Sequence, residues 1–99
     1  MSNLEPVHGY EDFVLKKFKE DPELGIEMLT EAVIEYKTTN DIIYVLLNLS
    51  RLISIRGYDE FEIAGLKRES ISNVLQNKTP IDITLINNML EILNIEERI

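Results

Sequence analysis

Between Asp41 and Arg56 the chain runs sixteen residues without glycine or proline, and its apolar side chains nearly encircle the axis. They are Ile42, Ile43, Val45, Leu46, Leu47, Leu49, Leu52, Ile53 and Ile55. A run of this length exceeds an ordinary strand, so it reads as a helix. A helix that is apolar all round belongs at the centre of a fold, where other elements cover it. Gly57 then ends it, in the place glycine takes after a helix C-cap. The same stretch is interrupted by Asn48, Ser50, Arg51 and Ser54. It is therefore too short and too polar to span a bilayer, which needs about 20 apolar residues.

The other segments supply the cover. Phe13, Val14, Leu15 and Phe18 fall at helical separations and predict a helix over Tyr10 to Lys19. Asp21-Pro22-Glu23 is a helix start: a capping carboxylate, a proline suited to the first turn, and an acid on the positive end of the dipole. The helix it opens should reach about Lys37. Leu24, Met28, Ala32 and Tyr36 recur every four residues, and Leu29 and Val33 widen that stripe. Thr38-Thr39-Asn40-Asp41 is a polar turn that also offers caps to the central helix.

Beyond Gly57 come two short pieces. Asp59 to Ala64 opens on a cap-like Asp59 with Glu62 three residues on, the spacing of a capping box. After Gly65, Lys67 to Gln76 carries Ile71, Val74 and Leu75 on one face. Pro80 enforces a stop, and Asp82 caps a last helix to about Asn94 with the stripe Ile83, Ile86, Met89, Leu90 and Leu93. The expected fold is all-α, with five to six helices. Residues 1–40 form an N-terminal helical extension packed on a core of residues 41–99, one structural domain overall. Ninety-nine residues, 44% of them hydrophobic, suffice for one such domain and not for two.

Charge divides the function classes. The net charge is −8, which argues against nonspecific nucleic-acid binding. Residues 66–78 are an exception, with Lys67, Arg68 and Lys78 against Glu69. Glu23, Glu27, Glu31 and Glu35 repeat at the spacing of the apolar stripe, about 100° round the axis, so one flank of the second helix is an acidic ladder. It reads as a solvated face or as a docking surface for a basic partner.

Two short helices joined by a glycine-containing turn and braced by longer ones are a helix-turn-helix arrangement, whose second short helix enters the major groove. In that reading Lys67, Arg68 and Lys78 meet phosphates. Arg68 and Asn73 reach base edges, and Ser70 and Ser72 serve either. Catalytic and metal chemistry finds no footing: cysteine is absent, and no nucleophile elbow, phosphate loop or histidine pair occurs. No cofactor is expected. The one histidine, His8, reads as a surface residue without a role. Tyr36, Tyr44 and Tyr58 read as core or half-buried, and Arg51 and Arg56 as partners of nearby carboxylates.

Gly57-Tyr58, then Ile63-Ala64-Gly65-Leu66-Lys67-Arg68-Glu69-Ser70-Ile71, then Val74-Leu75, then Ile86 to Ile95 resembles the Xre-type, lambda-repressor-like helix-turn-helix of HigA-like addiction-module antitoxins. Members of that family commonly read Gly-Leu-Ser-Arg-Glu-Ser/Thr-Leu-Tyr at this point. The Asp21-Pro22-Glu23 start is similar to the family's N-terminal region, and the resemblance runs from about Phe13 onward. A cytoplasmic location is expected because Met1 to Tyr10 is polar and acidic and lacks the basic stretch and apolar run of a secretory signal. The resemblance implies a repressor, expected to be dimeric and not an enzyme. Such a protein binds operator DNA, neutralises a RelE-like ribonuclease toxin and regulates its own operon. Glu23, Glu27, Glu31 and Glu35 would then meet the basic toxin. The chain departs from the pattern at Lys67, which stands where a capping serine is usual. Its first short helix is also one residue shorter and carries Asp59, Glu60 and Glu62 beside the expected phosphate backbone. Those departures keep two alternatives open. One is a helical protein-interaction domain without DNA binding. The other is a standalone Xre-type or phage regulator without a toxin.

Overall fold

The computed structural model describes residues 6–99. Six helices follow one another: α1 (Pro6–Glu20), α2 (Pro22–Thr39), α3 (Ile43–Arg56), α4 (Asp59–Ile63), α5 (Arg68–Leu75) and α6 (Ile83–Ile92). No strand occurs among the described residues, so the all-α expectation stands. The central role of α3 stands with it: α2 lies along it, α1 packs on both, α5 packs on α3, and α4 touches α6. Side chains from all six helices join one core, centred on Phe18, Leu29, Val33, Leu49, Phe61, Ile71, Ile86 and Leu90. Burying an apolar side chain of this size stabilises the fold by about 1.5–3 kcal/mol.

Several boundaries differ from the sequence reading. Helix α1 starts at Pro6, a turn before Tyr10, because proline suits a first helical position even where no apolar residue marks one. Helix α2 runs on to Thr39 and stops at Asn40, which is left-handed (φ 64°) and donates its N–H to the Tyr36 carbonyl at 2.7 Å. Its buried face is Gly25, Leu29, Ala32 and Val33, while Leu24, Met28 and Tyr36 are half-buried. The stripe is thus rotated from the one that the four-residue spacing predicts. Glycine hides that shift, since Gly25 is apolar only by having no side chain. Its Cα faces Phe18 and Leu52 so closely that a Cβ would lie 2.7 Å from Leu52 Cδ2 and 3.0 Å from Phe18 Cδ2.

Helix α3 is not covered all round. Ile43 and Tyr44 are 62% and 57% exposed, so Tyr44 is neither core nor half-buried. Ile43, with Ile42, Leu46, Leu47, Leu75 and Ile81, borders an open apolar groove of about 400 Å³. The polar interruptions of α3 serve the interior. Arg51 is buried and paired with Glu11 of α1, both N–H···O distances being 3.0 Å, and Asn48 bridges from Arg51 to the Tyr44 carbonyl. Arg56 pairs with Glu60 at 2.8 Å. The expectation that both arginines pair with carboxylates therefore holds.

Three helix ends share one device. After α4, Gly65 is left-handed (φ 100°), with Leu66 N–H bonded to Phe61 O and Gly65 N–H to Glu62 O, both at 3.0 Å. Asn77 after α5 and Asn94 after α6 have φ 63° and 64° and repeat the same pair of bonds. These are Schellman closures, which satisfy the last carbonyls and reverse the chain. At the α4–α5 turn the positive φ falls on the residue type that adopts it without strain. Asp82 caps α6 as expected, accepting from Leu85 N–H at 3.1 Å.

Candidate functional site

Helix α4, the turn from Ala64 to Lys67 and helix α5 form two short helices in direct succession. Phe61, Ile71 and Val74 are buried and pin both helices to the core. At 100° per residue, burying Ile71 and Val74, with Leu75 half-buried, turns Glu69, Asn73 and Gln76 to the opposite face and Ser72 to its flank. Glu69 and Gln76 were not among the residues singled out from the sequence. Helical periodicity around Ile71 was the signal that could have found them.

The expected nucleic-acid residues divide into groups. Lys67 is the N-cap of α5 and makes no side-chain cap, in keeping with its residue type. Lys67 and Lys78 are exposed and make no ion pair among the described residues. Ser70 and Asn73 come together on a shallow groove of about 240 Å³ bounded by Thr79, Pro80 and Asp82. Ser72 is half-buried, and its hydroxyl accepts from Gln76 Nε2 at 3.0 Å.

Arg68 stands apart from these. Its Nε and Nη2 each lie 3.2 Å from an oxygen of Glu62, and its guanidinium carbon lies 4.7 Å from the centre of the Tyr58 ring. The hydrogen bond and the charge of Glu62 raise the Arg68 pKa further above its ordinary value. The capping box expected at Asp59 and Glu62 does not form. Tyr58 is the N-cap residue, no side chain caps α4, and Glu62 reaches forward to Arg68. With Glu60 held by Arg56, two of the three α4 carboxylates are neutralised within the protein.

The acidic ladder forms a second candidate surface. Glu23, Glu27, Glu31 and Glu35 are all exposed, and none makes an ion pair among the described residues. Glu27, Glu31 and Glu35 border two adjoining grooves of about 140 and 190 Å³, which share Met28 and Glu31. Leu24 lines one groove, and Ala32, Tyr44 and Asn48 line the other. Glu23 lies outside both, on the first turn of α2, where its own N–H donates to Asp21. Tyr44 and Met28 give the ladder an apolar border that the sequence reading did not assign.

Among the described residues no cluster of His, Cys, Asp and Glu is arranged to hold a metal ion. No described helix is long and apolar enough to cross a membrane. The side chain of His8 lies outside the described residues. An all-helical protein with a short-helix pair at one surface and an acidic groove at another is the class that the fold and geometry define. Compared with family models, with curated proteins and with solved structures, the chain matches none.

Proposed function

We propose that this chain is a cytoplasmic, non-enzymatic regulator of the antitoxin type, in which α5 reads operator DNA and the acidic face of α2 holds a basic toxin protein. The observation that carries the reading is the α4–Gly65–α5 unit. It offers a polar helix face with Lys67 and Arg68 at one end and Lys78 at the other. Phosphate-neutralising cations at both ends of a recognition helix, with hydrogen-bonding groups between them, suit a duplex groove. A homodimer would set two such helices about 34–36 Å apart, one turn of DNA. The unpaired glutamates beside Met28 and Tyr44 supply charge complementarity, which speeds the encounter with a basic protein. Gel shift with the DNA upstream of the chain's own gene tests the DNA half. A specific complex at low salt is expected, and no band with or without the neighbouring gene's product refutes it.

A second reading is a helical interaction domain that does not bind DNA. It is favoured by Glu62 on Arg68 and by Glu69 on the exposed face of the first turn of α5. Activity unchanged by Arg68→Ala with Asn73→Ala, but abolished by Glu27→Lys with Glu31→Lys, would select it.

A further inference from the structure

We propose that Glu62 and Tyr58 are positioning residues that aim Arg68 at a guanine, an inference that rests on the DNA-binding reading above. A guanidinium has two edges with paired donors, and only one of them is taken here. Glu62 holds the side edge, Nε and Nη2, with both oxygens at 3.2 Å. That leaves Nη1 and the outer hydrogen of Nη2. This end edge presents two parallel donors, the pattern that matches O6 and N7 of guanine in the major groove. The Arg68 side chain remains 57% exposed, and no described residue bonds to the end edge. Tyr58, 4.7 Å from the guanidinium carbon, packs against the group and limits its swing.

The frame holding the three residues is local and closed. Tyr58 is the N-cap residue of α4, Glu62 lies on its last turn, and Arg68 is the first residue of α5. The Gly65 closure between them fixes the return of the chain through two 3.0 Å bonds. Part of the cost of ordering the arginine is then met on folding and not on binding DNA, which favours the bound geometry. The carboxylate also cancels the charge of the arginine. Arg68 then contributes to the choice of base and little to salt-sensitive attraction, which falls to Lys67 and Lys78.

The test is selection from a random-sequence duplex library with the full chain, followed by salt titration of the selected duplex. The wild type should enrich a guanine at one position of each half-site. Arg68→Ala should lose that preference by about tenfold or more, and Arg68→Ala combined with Glu62→Gln, which keeps the net charge of the pair at zero, should leave the salt slope nearly unchanged. Glu62→Gln should relax the same position with helical content intact by circular dichroism, and Glu62→Asp should restore part of it. The proposal is overturned by Glu62→Gln tightening binding to every sequence with the preference kept, which would make the carboxylate a mask. Enrichment that survives Arg68→Ala also overturns it, leaving DNA binding itself in place. No enrichment by the wild type removes the DNA-binding reading and this proposal together.

Discussion

Removing the carboxylate of Glu11 should destabilise the fold more than removing both members of its ion pair. Arg51 has 8% of its side chain exposed and Glu11 42%, so one charge is interior and the other is half in water. Stripping the partner from a buried charge costs about 3–5 kcal/mol when water cannot reach it. Here the Glu11 side is open, which moves the figure toward that of hydrogen bonds to a charged group, about 1.5–3 kcal/mol. Glu11→Ala is thus expected to cost about 2 kcal/mol, which lowers the melting midpoint by roughly 10 °C for a domain of this size. Arg51→Met with Glu11→Ala removes the charge along with its partner and should recover at least half of that loss. Urea unfolding followed by circular dichroism measures all three proteins. A cost below about 0.5 kcal/mol for Glu11→Ala, or a double variant no better than the single one, would show that the guanidinium does not depend on this carboxylate.

The hydrogen bond from Arg51 holds the Glu11 carboxyl below the usual carboxylate range; burial opposes the shift and the charge of Arg51 adds to it. Its stabilisation should therefore be full above the ordinary value of about 4.3 and fade as pH falls through the lowered one, an advantage over Glu11→Gln that shrinks in acid unfolding profiles. Gly25→Ala gains up to ~1 kcal/mol of helix propensity, but puts a methyl 2.7 Å from the buried Leu52. Overpacking of about 1–3 kcal/mol should win, and an unchanged or raised urea midpoint would contradict the close approach. Replacing Lys67 and Lys78 by alanine should flatten the salt dependence of DNA binding. The log–log slope should fall by about 0.9 for each phosphate that is no longer neutralised, read from titrations between about 50 and 200 mM salt. Glu27→Lys with Glu31→Lys should abolish binding of the basic partner in calorimetry while DNA binding persists. Loss of both would place the two functions on one surface.

Most of the architecture was legible because it is written in local signals. Asp21, Asp82, Gly57 and Gly65 each act within one helix turn of themselves, and the structure uses all four as helix punctuation. The rotated face of α2 was not legible. Its centre is Gly25, whose contribution is to let α1 and α3 approach, and absence of a side chain leaves no mark in an apolar stripe. The open flank of α3 was missed for a related reason. An apolar residue signals a tendency to be covered, and Ile43 and Tyr44 have no described neighbour that covers them.

The candidate nucleic-acid face was legible in position but not in charge. Counting Lys67, Arg68 and Lys78 against Glu69 treats each charge as free within a window. In the structure Arg68 is bound to Glu62, six residues back and outside that window, and Glu60 is bound to Arg56. The acidic α4, expected to repel a phosphate backbone, is thereby reduced to Asp59 as its unpaired carboxylate among the described residues. The positive island is reduced as well, to Lys67 and Lys78 at the two ends of α5. What a duplex would meet is therefore less attractive than the sequence suggests and less repulsive too. Coulomb attraction between paired groups a few ångströms apart outweighs their field at longer range, where salt screens it within about 10 Å. In the proposed DNA-binding reading, base preference would come from hydrogen-bond geometry at Arg68, Asn73 and Ser70. Affinity would come from Lys67 and Lys78 and, in the proposed homodimer, from the same residues of the second copy.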